Sequence, residues 1–423
     1  MDLAERLRVL RTGFTRTFWV ANVLELFERF AYYGSKAVLS IYIADHVGLG
    51  PAMATVLAGS VFNTLLYLLP PLAGTIVDRW GFRRSLALCF SIFCVGYLLI
   101  GLAGLPAGRP LVAALGGPKV YTLIALVVTA IGGSLIKPSV VGTVARTTSG
   151  DAKALGYSIY YMLVNVGGAV GPFLAVPVRE TFGIAYVLVM SSATSLLLLV
   201  GTLLFFKEPP RPADAPPPSS FGKVLADMTK VFKNRRFMTF LVIFSGFWAM
   251  FWHVFYALPS YVKDFLKFGR FEWVETVDAI AIIVVTIPAT AVAKRLKPLS
   301  AMVLGFALAT GCWFIMGSVP TLAGAVAALI LYAVGEGIQS PRFYEYVSNL
   351  APPEQVGTYM GFAFLPIAIG TFIAGVSSGY LVKHYVEGGN PAAPQMWFVV
   401  GSYGVVSTIL MVVYDRFIAP KRA

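Results

Sequence analysis

The chain has 423 residues, of which 57% are hydrophobic and only 13% charged, a composition that excludes a water-soluble globular protein of this size. Its formal net charge of +13 does not indicate nucleic-acid binding, because the basic residues are scattered over short alternate loops and form no single stripe. The three cysteines lie within apolar runs and lack metal-ligand spacing, so we expect neither a disulfide framework nor a metal site.

About twelve apolar runs are each long enough to cross the roughly 30 Å hydrocarbon core of a bilayer. They lie at residues 17–43, 53–77, 85–104, 119–146, 153–178, 183–206, 237–262, 274–293, 298–317, 320–349, 356–383 and 394–414. The sequence therefore predicts an all-α integral membrane protein with twelve transmembrane helices in a lipid bilayer. The arginine-rich start lacks the pattern of a cleavable signal peptide, so we expect the first span to be retained.

The first span carries four ionisable side chains, those of Glu25, Glu28, Arg29 and Lys36. An ionised residue at mid-membrane costs roughly 2.5–3.5 kcal/mol on insertion scales, so such groups usually face a protein-lined cavity. Together with Tyr32 they recur at helical spacing, and we expect them along one face of the helix. This span predicts a transporter in which the charges mark a substrate or proton path.

The loop between the second and third spans reads Gly74-Thr75-Ile76-Val77-Asp78-Arg79-Trp80-Gly81-Phe82-Arg83-Arg84. It resembles the G-x-x-x-D-R-x-G-x-R-R signature of the major facilitator superfamily. We expect Gly74 to let two helices approach closely and Asp78 to cap a helix end or pair with the neighbouring half. The motif residues with an expected conformational role are Gly74, Asp78, Arg79, Gly81, Arg83 and Arg84.

A proline-rich connector begins at residue 207 and divides the spans six plus six. Residues 221–236 follow it with apolar side chains at helical spacing beside basic ones, which predicts an amphipathic helix on the inner leaflet. Two six-helix bundles joined by such a linker resemble the major facilitator architecture, in which the halves rock about a central site. The predicted domains are 1–206, 207–236 and 237–423.

The basic residues of alternate loops predict the topology. By the positive-inside rule they place both termini in the cytoplasm, and we expect the protein in a bacterial inner membrane. The loop after the seventh span breaks the pattern with three basic residues that three acids blunt: Lys263, Lys267, Arg270, Asp264, Glu272 and Glu275.

Two more charges lie deep in predicted spans, Lys137 in the fourth and Glu336 in the tenth. The first-span sequence, Glu25-x-x-Glu28-Arg29 followed by Phe-x-Tyr-Tyr-Gly, resembles the E-x-x-E-R motif of the proton-dependent oligopeptide transporter family. Members of that family couple proton entry to the uptake of small peptides. Further matches run along most of the chain: Tyr67, Lys137-Pro138, Tyr160-Tyr161-x-x-x-Asn165-x-Gly167, Phe247-Trp248, Glu336 with Ser340-Pro341, and Met360-Gly361.

The resemblance implies a role for each charge. Glu25 and Glu28 would be protonated during transport, Arg29 and Lys137 would meet a substrate carboxylate, and Glu336 would meet a substrate amino group. Proton coupling is expected of Glu25, Glu28, Arg29, Lys137 and Glu336, with protons as the coupling ion and no other cofactor. Substrate binding is expected of Arg29, Tyr32, Tyr33, Lys36, Tyr67, Lys137, Asn165, Trp248, His253, Asp278, Glu336 and Ser340. The alternative is that these charges only neutralise one another and lock helices together.

The sequence departs from the family at several positions. Lys36 stands where arginine is common, and the seventh span has tryptophan and histidine where a glutamate and a glutamine usually follow Phe247-Trp248. The usual outer ion pair therefore cannot form. His253 is either a pH-sensitive replacement or a hydrogen-bonded packing residue. Asp278, where the family tends to have asparagine, is either a cavity acid or a residue near the outer interface. The two extra helices of many bacterial members are missing.

These observations predict a monomeric proton symporter that imports di- or tripeptides, or similar zwitterions, by alternating access. A drug and proton antiporter is the nearest rival, because residues 167–172 resemble the G-x-x-x-G-P pattern of drug exchangers, although small residues there also serve plain helix packing. A receptor that binds without transport is the third alternative. No nucleophile with a base, phosphate-binding loop or metal cluster indicates an enzyme.

Overall fold

The computed structural model describes residues 13–148, 151–211, 221–351 and 356–419, with the backbone alone at 151, 154, 287 and 356–358. Every regular element in these ranges is a helix. Ten of the described helices are long and apolar enough to cross a membrane: Gly50–Leu68, Phe82–Leu102, Gly117–Thr147, Leu155–Phe182, Ala185–Phe205, Arg235–Phe265, Pro298–Ser318, Leu322–Leu350, Tyr359–Gly389 and Gln395–Ile418. The predicted all-α class is confirmed. The ends of the chain, whose side of the membrane is predicted, lie outside the described residues.

Two further helices coincide with the two predicted spans that remain. Arg16–Ile41, 26 residues long, coincides with the first span, and its ionisable side chains distinguish it from the apolar helices. Phe271–Lys294 coincides with the eighth span. It is bent by 59° between Phe271–Thr286 and Pro288–Lys294, because a proline inside a helix removes a backbone donor and clashes with the preceding turn.

The second predicted span, 53–77, is interrupted. Its helix ends at Leu68, and a separate helix, Pro70–Trp80, carries the first part of the loop motif. Pro70 and Pro71 explain the break, since proline fits the first turn of a helix but not its interior. A helix, Phe221–Phe232, lies within the segment 221–236 for which an amphipathic helix is predicted, and its position on the inner leaflet stays a prediction.

The contacts divide the chain into two compact units. Unit 1 comprises Met1–Ser35 and Leu69–Val224. Within it, the helix Phe82–Leu102 packs against Ala185–Phe205 and against Gly117–Ser134.

Unit 2 comprises Lys36–Leu68 and Leu225–Ala423. Within it, Arg235–Tyr256 packs against Leu365–Tyr385, and Pro298–Ser318 packs against Leu322–Leu350. The segment 36–68 belongs here because it also packs on Leu365–Tyr385. Two hydroxyls tie these elements, since Ser60 donates to the Phe372 carbonyl at 2.7 Å and Thr64 donates to the Ala368 carbonyl at 3.3 Å. The units thus differ from the predicted bundles in this segment, and the domain bounds 1–206, 207–236 and 237–423 stay a prediction.

In unit 1 the helix Arg16–Ile41 passes very close to Asp151–Phe182. A Cβ added at Gly171 would lie 2.9 Å from the Phe30 carbonyl oxygen and 3.0 Å from the Gly34 nitrogen. Small residues allow such backbone contact between membrane helices. The contact supports the packing interpretation of the small-residue pattern at 167–172.

We expect Gly171→Ala to destabilise the protein by about 1–3 kcal/mol, because the added methyl overpacks this backbone contact. The measurement is the midpoint of thermal unfolding in detergent. Gly74→Ala is the matched control, since no described atom lies within 4 Å of a Cβ at that position. For the described part of the chain, our expectation that Gly74 permits close helix approach is therefore wrong. Equal midpoints for the two variants would contradict the packing role of Gly171.

Candidate functional site

The loop motif forms a tight junction between two helices of unit 1. Gly81 has φ 82°, a left-handed conformation that favours glycine, and it separates Pro70–Trp80 from Phe82–Leu102. The Glu208 carboxylate accepts the backbone N–H groups of Phe82 at 2.9 Å and Arg83 at 2.7 Å. Arg83 Nη2 donates to the Leu203 carbonyl at 2.6 Å. The junction is thereby tied to the end of the helix Ala185–Phe205.

Glu208 caps the helix Phe82–Leu102, which is one of the two roles predicted for Asp78. The Asp78 side chain is exposed, whereas the Glu208 carboxylate satisfies two of the donors that a helix start leaves free. Asp78 does not cap this helix, because the capping acid comes from a segment 125 residues away, and the alternative that Asp78 pairs with the neighbouring half stays a prediction. Arg79 lies 5.7 Å from the Phe221 ring centroid, and Arg84 is exposed.

A buried ionic network is built around charged side chains near the middle of the first helix. Arg29 Nη2 lies 2.5 Å from Glu28 Oε2, and Arg29 Nε lies 3.4 Å from Glu25 Oε1. Lys137 Nζ donates to the same Glu25 oxygen at 3.2 Å and to the Tyr160 hydroxyl at 2.7 Å. The Tyr160 hydroxyl donates to Glu25 at 3.3 Å. We call these five residues the ionic network, and all of them belong to unit 1.

The network is balanced in charge and nearly closed to solvent. Glu25, Glu28 and Arg29 are 0%, 1% and 6% exposed, whereas the Lys137 side chain is 28% exposed. Two carboxylates face two cations, so the formal charge of the ionised network is zero. Glu25 Oε2 and Glu28 Oε1 are buried and have no hydrogen-bond partner among the described residues. Lys137 is therefore the most exposed charged member of the network.

Local sequence explains how these side chains meet. Glu25 and Arg29 are four residues apart, a spacing that brings side chains together on one helix face. Lys137 follows a break at Leu135 between the helices Gly117–Ser134 and Ile136–Thr147. Pro138 cannot donate a hydrogen bond to the carbonyl of Ser134, which favours a break at this place.

The aromatic residues predicted on this face border Arg29. The guanidinium carbon of Arg29 lies 4.9 Å from the Tyr32 ring centroid, and Tyr33 packs edge to face on Tyr32 at 5.1 Å. A Cβ at Gly167 would overlap the Arg29 side chain, so glycine lets Arg29 pass. Asn165 is half-buried and donates to the Tyr161 carbonyl on its own helix at 2.8 Å. No described contact joins Asn165 to the ionic network.

Lys36, on the same helix, belongs to unit 2. Its side chain is buried, with Nζ 3.5 Å from the Trp252 ring centroid and 4.1 Å from that of Phe255. Aromatic faces attract such a cation by about 2 kcal/mol when it is desolvated. Tyr67, another predicted site residue, lies 5.7 Å from Trp252. Lys36 and Tyr67 therefore meet around one indole ring.

The seventh-span residues occupy different environments. His253 is fully buried, and its Nδ1 donates to the Ala249 carbonyl at 2.6 Å while Nε2 lies 3.0 Å from Ser377 Oγ. Both ring nitrogens have protein partners, which contradicts a direct substrate contact in this structure and supports the packing alternative. Trp248 is half-buried, and its indole N–H has no hydrogen-bond partner within the described ranges.

Acidic side chains gather inside unit 2. Asp278 is 8% exposed, and its carboxylate interacts electrostatically with that of Glu336. Glu336 is half-buried on the helix Leu322–Leu350, where Ser340 accepts a hydrogen bond from Gln339 at 3.1 Å. Glu272 and Glu275, which sequence reasoning assigned to a loop, are 0% and 3% exposed on the helix that carries Asp278.

That loop assignment is wrong because the helix starts at Phe271, before both glutamates. The missed signal is the spacing of Glu272, Glu275 and Asp278, which are three residues apart and so share one side of a helix. A second missed feature is the ion pair between Lys263 and Asp45, both in unit 2. This ion pair neutralises Lys263, one of the basic residues that break the predicted distribution of positive charge over the loops.

The comparisons with known proteins identify the family. A family model described as Major Facilitator Superfamily matches residues 22–375. The chain belongs to the major facilitator superfamily. It is accordingly an integral membrane protein and a secondary transporter of small molecules, and not an enzyme.

Relatives within the superfamily differ in the solutes that their names give. The chain is 26% identical over 346 residues to the multidrug resistance protein MdtH of Aeromonas hydrophila, which covers 81% of each protein. It is 29% identical over 224 residues to solute carrier family 15 member 2 of Mus musculus, a match that covers 50% of this chain and 29% of that one.

A solved structure of a POT family transporter in complex with a thioalcohol-conjugated peptide is similar to the chain with a TM-score of 0.76. The match covers 96% of this chain and 97% of that one at 17% identity. At this identity the likeness shows the superfamily fold alone. The comparisons therefore support a transporter of the major facilitator superfamily and leave peptides and drugs as alternative substrates.

Proposed function

We propose that the protein is a proton-coupled symporter that imports small peptides or peptide-like zwitterions. The observation that carries the proposal is the neutral ionic network of Glu25, Glu28, Arg29 and Lys137. A carboxylate that joins this network alone leaves an extra negative charge in a site with little water. A proton that arrives on Glu25 or Glu28 restores neutrality, so proton and carboxylate favour each other's binding.

The two cations suit successive stages of this binding. Lys137 is more exposed than Arg29, and its ammonium group on a flexible side chain suits the first contact with a substrate carboxylate. Arg29 forms an ion pair with Glu28. Once a proton has neutralised Glu28, the planar guanidinium of Arg29 can donate hydrogen bonds to a substrate carboxylate. Release of the proton returns Arg29 to Glu28 and expels the substrate.

The same proposal assigns the substrate amino group to the acids of unit 2. Glu336 and Asp278 interact with each other and have no ion-pair partner in the described ranges. An ammonium group relieves the repulsion between two such carboxylates. A substrate amino group therefore matches the charge of this acid pair.

We expect the direction of the driving gradient to test this function. Proteoliposomes with an alkaline lumen and an acidic exterior should accumulate labelled alanyl-alanine, and a protonophore should abolish the accumulation. Empty liposomes are the control. Accumulation only with the acid inside would instead show proton exchange, and binding without counterflow would show a receptor.

Proton exchange for cationic drug-like solutes is the second candidate. Asp278 and Glu336 favour it, because a cation and a proton compete for the same carboxylates, and such competition couples their opposite movement. The likeness to MdtH over 81% of the chain also supports it. Labelled tetraphenylphosphonium in the acid-inside liposomes is the corresponding probe.

A further inference from the structure

The start of the eighth helix presents a row of buried acids. Glu272, Glu275 and Asp278 are 0%, 3% and 8% exposed. Successive members are three residues apart, so they lie on one side of the helix segment Phe271–Thr286 at spacings of nearly one turn. Acids buried at membrane depth commonly mark proton or ion paths.

Two of these acids lack the partners that buried carboxylates require. Both oxygens of Glu275 and Oδ1 of Asp278 are buried without a hydrogen-bond partner in the part of the chain that the structure describes. An ionised carboxylate in such surroundings is strongly disfavoured unless a proton or a cation neutralises it. The two groups therefore indicate a bound species, and not only a packed helix surface.

The neighbouring helix continues the row. Ala281 and Ile282 pack on Ala333, and further along the chain a Cβ at Gly337 would lie 3.0 Å from Ala289. Contacts in this order mean that Phe271–Lys294 and Leu322–Leu350 run in the same direction. Glu336 consequently lies further from the helix starts than Asp278 does, and the two carboxylates interact electrostatically.

Charged and titratable groups on other helices face the row. Lys36 interacts electrostatically with Glu275, which also faces Glu272. Tyr332 and Cys312 face Asp278 from two other helices. No cluster suited to a metal ion is found in the described ranges.

We propose that Glu275, Asp278 and Glu336 form a proton relay in unit 2, distinct from the ionic network of unit 1. In each step a protonated carboxyl gives its proton to the next ionised carboxylate, directly or through water, and becomes a carboxylate itself. Lys36 stabilises Glu275 in its ionised state until another proton arrives. The relay leads from the helix start, which the predicted topology places outside, to Glu336. It rests on the proposed proton coupling.

The first test needs no substrate. Infrared difference spectra of the wild-type protein in lipid, recorded across a pH titration, report the C=O stretch of protonated carboxyl groups. We expect Glu275→Gln and Asp278→Asn each to remove part of this signal. Glu387→Gln, which changes an exposed acid of the same unit, should not alter the signal of buried groups. A titration unchanged by both relay substitutions would overturn the relay, whatever the substrate.

The second test compares two transport assays in proteoliposomes. We expect Glu275→Gln to lower proton-driven uptake of alanyl-alanine by about ten-fold, because the relay loses a proton-transfer group. Counterflow, which needs no net proton movement, should stay within about two-fold of wild type. Glu275→Asp should restore part of the driven uptake, which a purely structural role of Glu275 does not predict.

The outcomes separate the relay from the proposed function. Wild-type protein that moves no peptide under any gradient contradicts the symporter, and the infrared titration still decides the relay. Wild-type rates of driven uptake in Glu275→Gln and Asp278→Asn overturn the relay and remove Asp278 from the amino-group site, while proton-coupled import through the ionic network still stands. Uptake driven by a sodium gradient at equal pH, lost in both variants, would mean a sodium site and also overturn the relay.

Discussion

Glu28→Gln is expected to reduce proton-driven peptide uptake to the level of empty liposomes while counterflow continues. Glutamine keeps the size of the side chain and can still accept a hydrogen bond from Arg29, but it can neither bind nor release a proton. The ionic network then carries a permanent positive charge, because Arg29 and Lys137 face Glu25 alone. A substrate carboxylate binds without a proton, and the gradient no longer drives its movement.

The measurement combines driven uptake, counterflow and peptide affinity in the same preparation. Affinity at neutral pH should stay equal to wild type or rise, since the carboxylate no longer competes with Glu28 for Arg29. Glu180→Gln is the control, because Glu180 is an exposed acid of the same unit. If Glu28→Gln accumulates peptide at the wild-type rate, Glu28 is not the coupling group and the network only holds helices together.

The sequence predicts the first helix well because the positions that matter lie within one element. The 3.6-residue period of a helix places Glu25 and Arg29 on one face, and in the structure Arg29 Nε lies 3.4 Å from Glu25 Oε1. Lys137 is also singled out by its depth in an apolar run. Its contact with Glu25 joins residues 112 apart in the chain, and only the packing of two helices decides that distance.

The errors arise where a boundary or a distant partner decides the role. Hydropathy places a helix end only to within a few residues. This uncertainty left Glu272 outside the predicted span 274–293 and Glu275 at its very start, so that both were counted with the loop. Asp78 has the right residue type for a cap, but Glu208, brought close by the end of another helix, makes the bonds. His253 is a predicted substrate-binding residue, and in the structure both of its ring nitrogens have hydrogen-bond partners in the protein.

Sequence patterns also do not predict how the chain divides into its two units. Segment 36–68 begins within the last turns of the first helix, yet its hydroxyls and glycines meet Leu365–Tyr385. The first helix consequently contributes Arg29 to one unit and Lys36 to the other. A proton-dependent change at Glu28 and a change at Glu275, which reaches the helix through Lys36, would thus act on the same helix at positions eight residues apart.

Lys137→Gln is expected to weaken the binding of peptides with a free carboxylate by about ten- to a hundred-fold, the range for loss of a hydrogen bond to a charged group. Peptides with an amidated C-terminus should lose little affinity, because they carry no charge for Lys137 to meet. The substitution is tolerable for the fold, since Glu25 keeps its contacts with Arg29 and Tyr160. Competition binding at acidic and neutral pH gives both affinities.

The matched control is Lys119→Gln, which removes an exposed lysine from the same unit and should leave both peptide classes unaffected. An equal loss for free and amidated peptides would mean that Lys137 shapes the pocket without recognising the carboxylate. A loss confined to free carboxylates assigns that recognition to Lys137. Combined with uncoupling by Glu28→Gln, it would place carboxylate binding and proton binding in one network, which is the requirement for their joint transport.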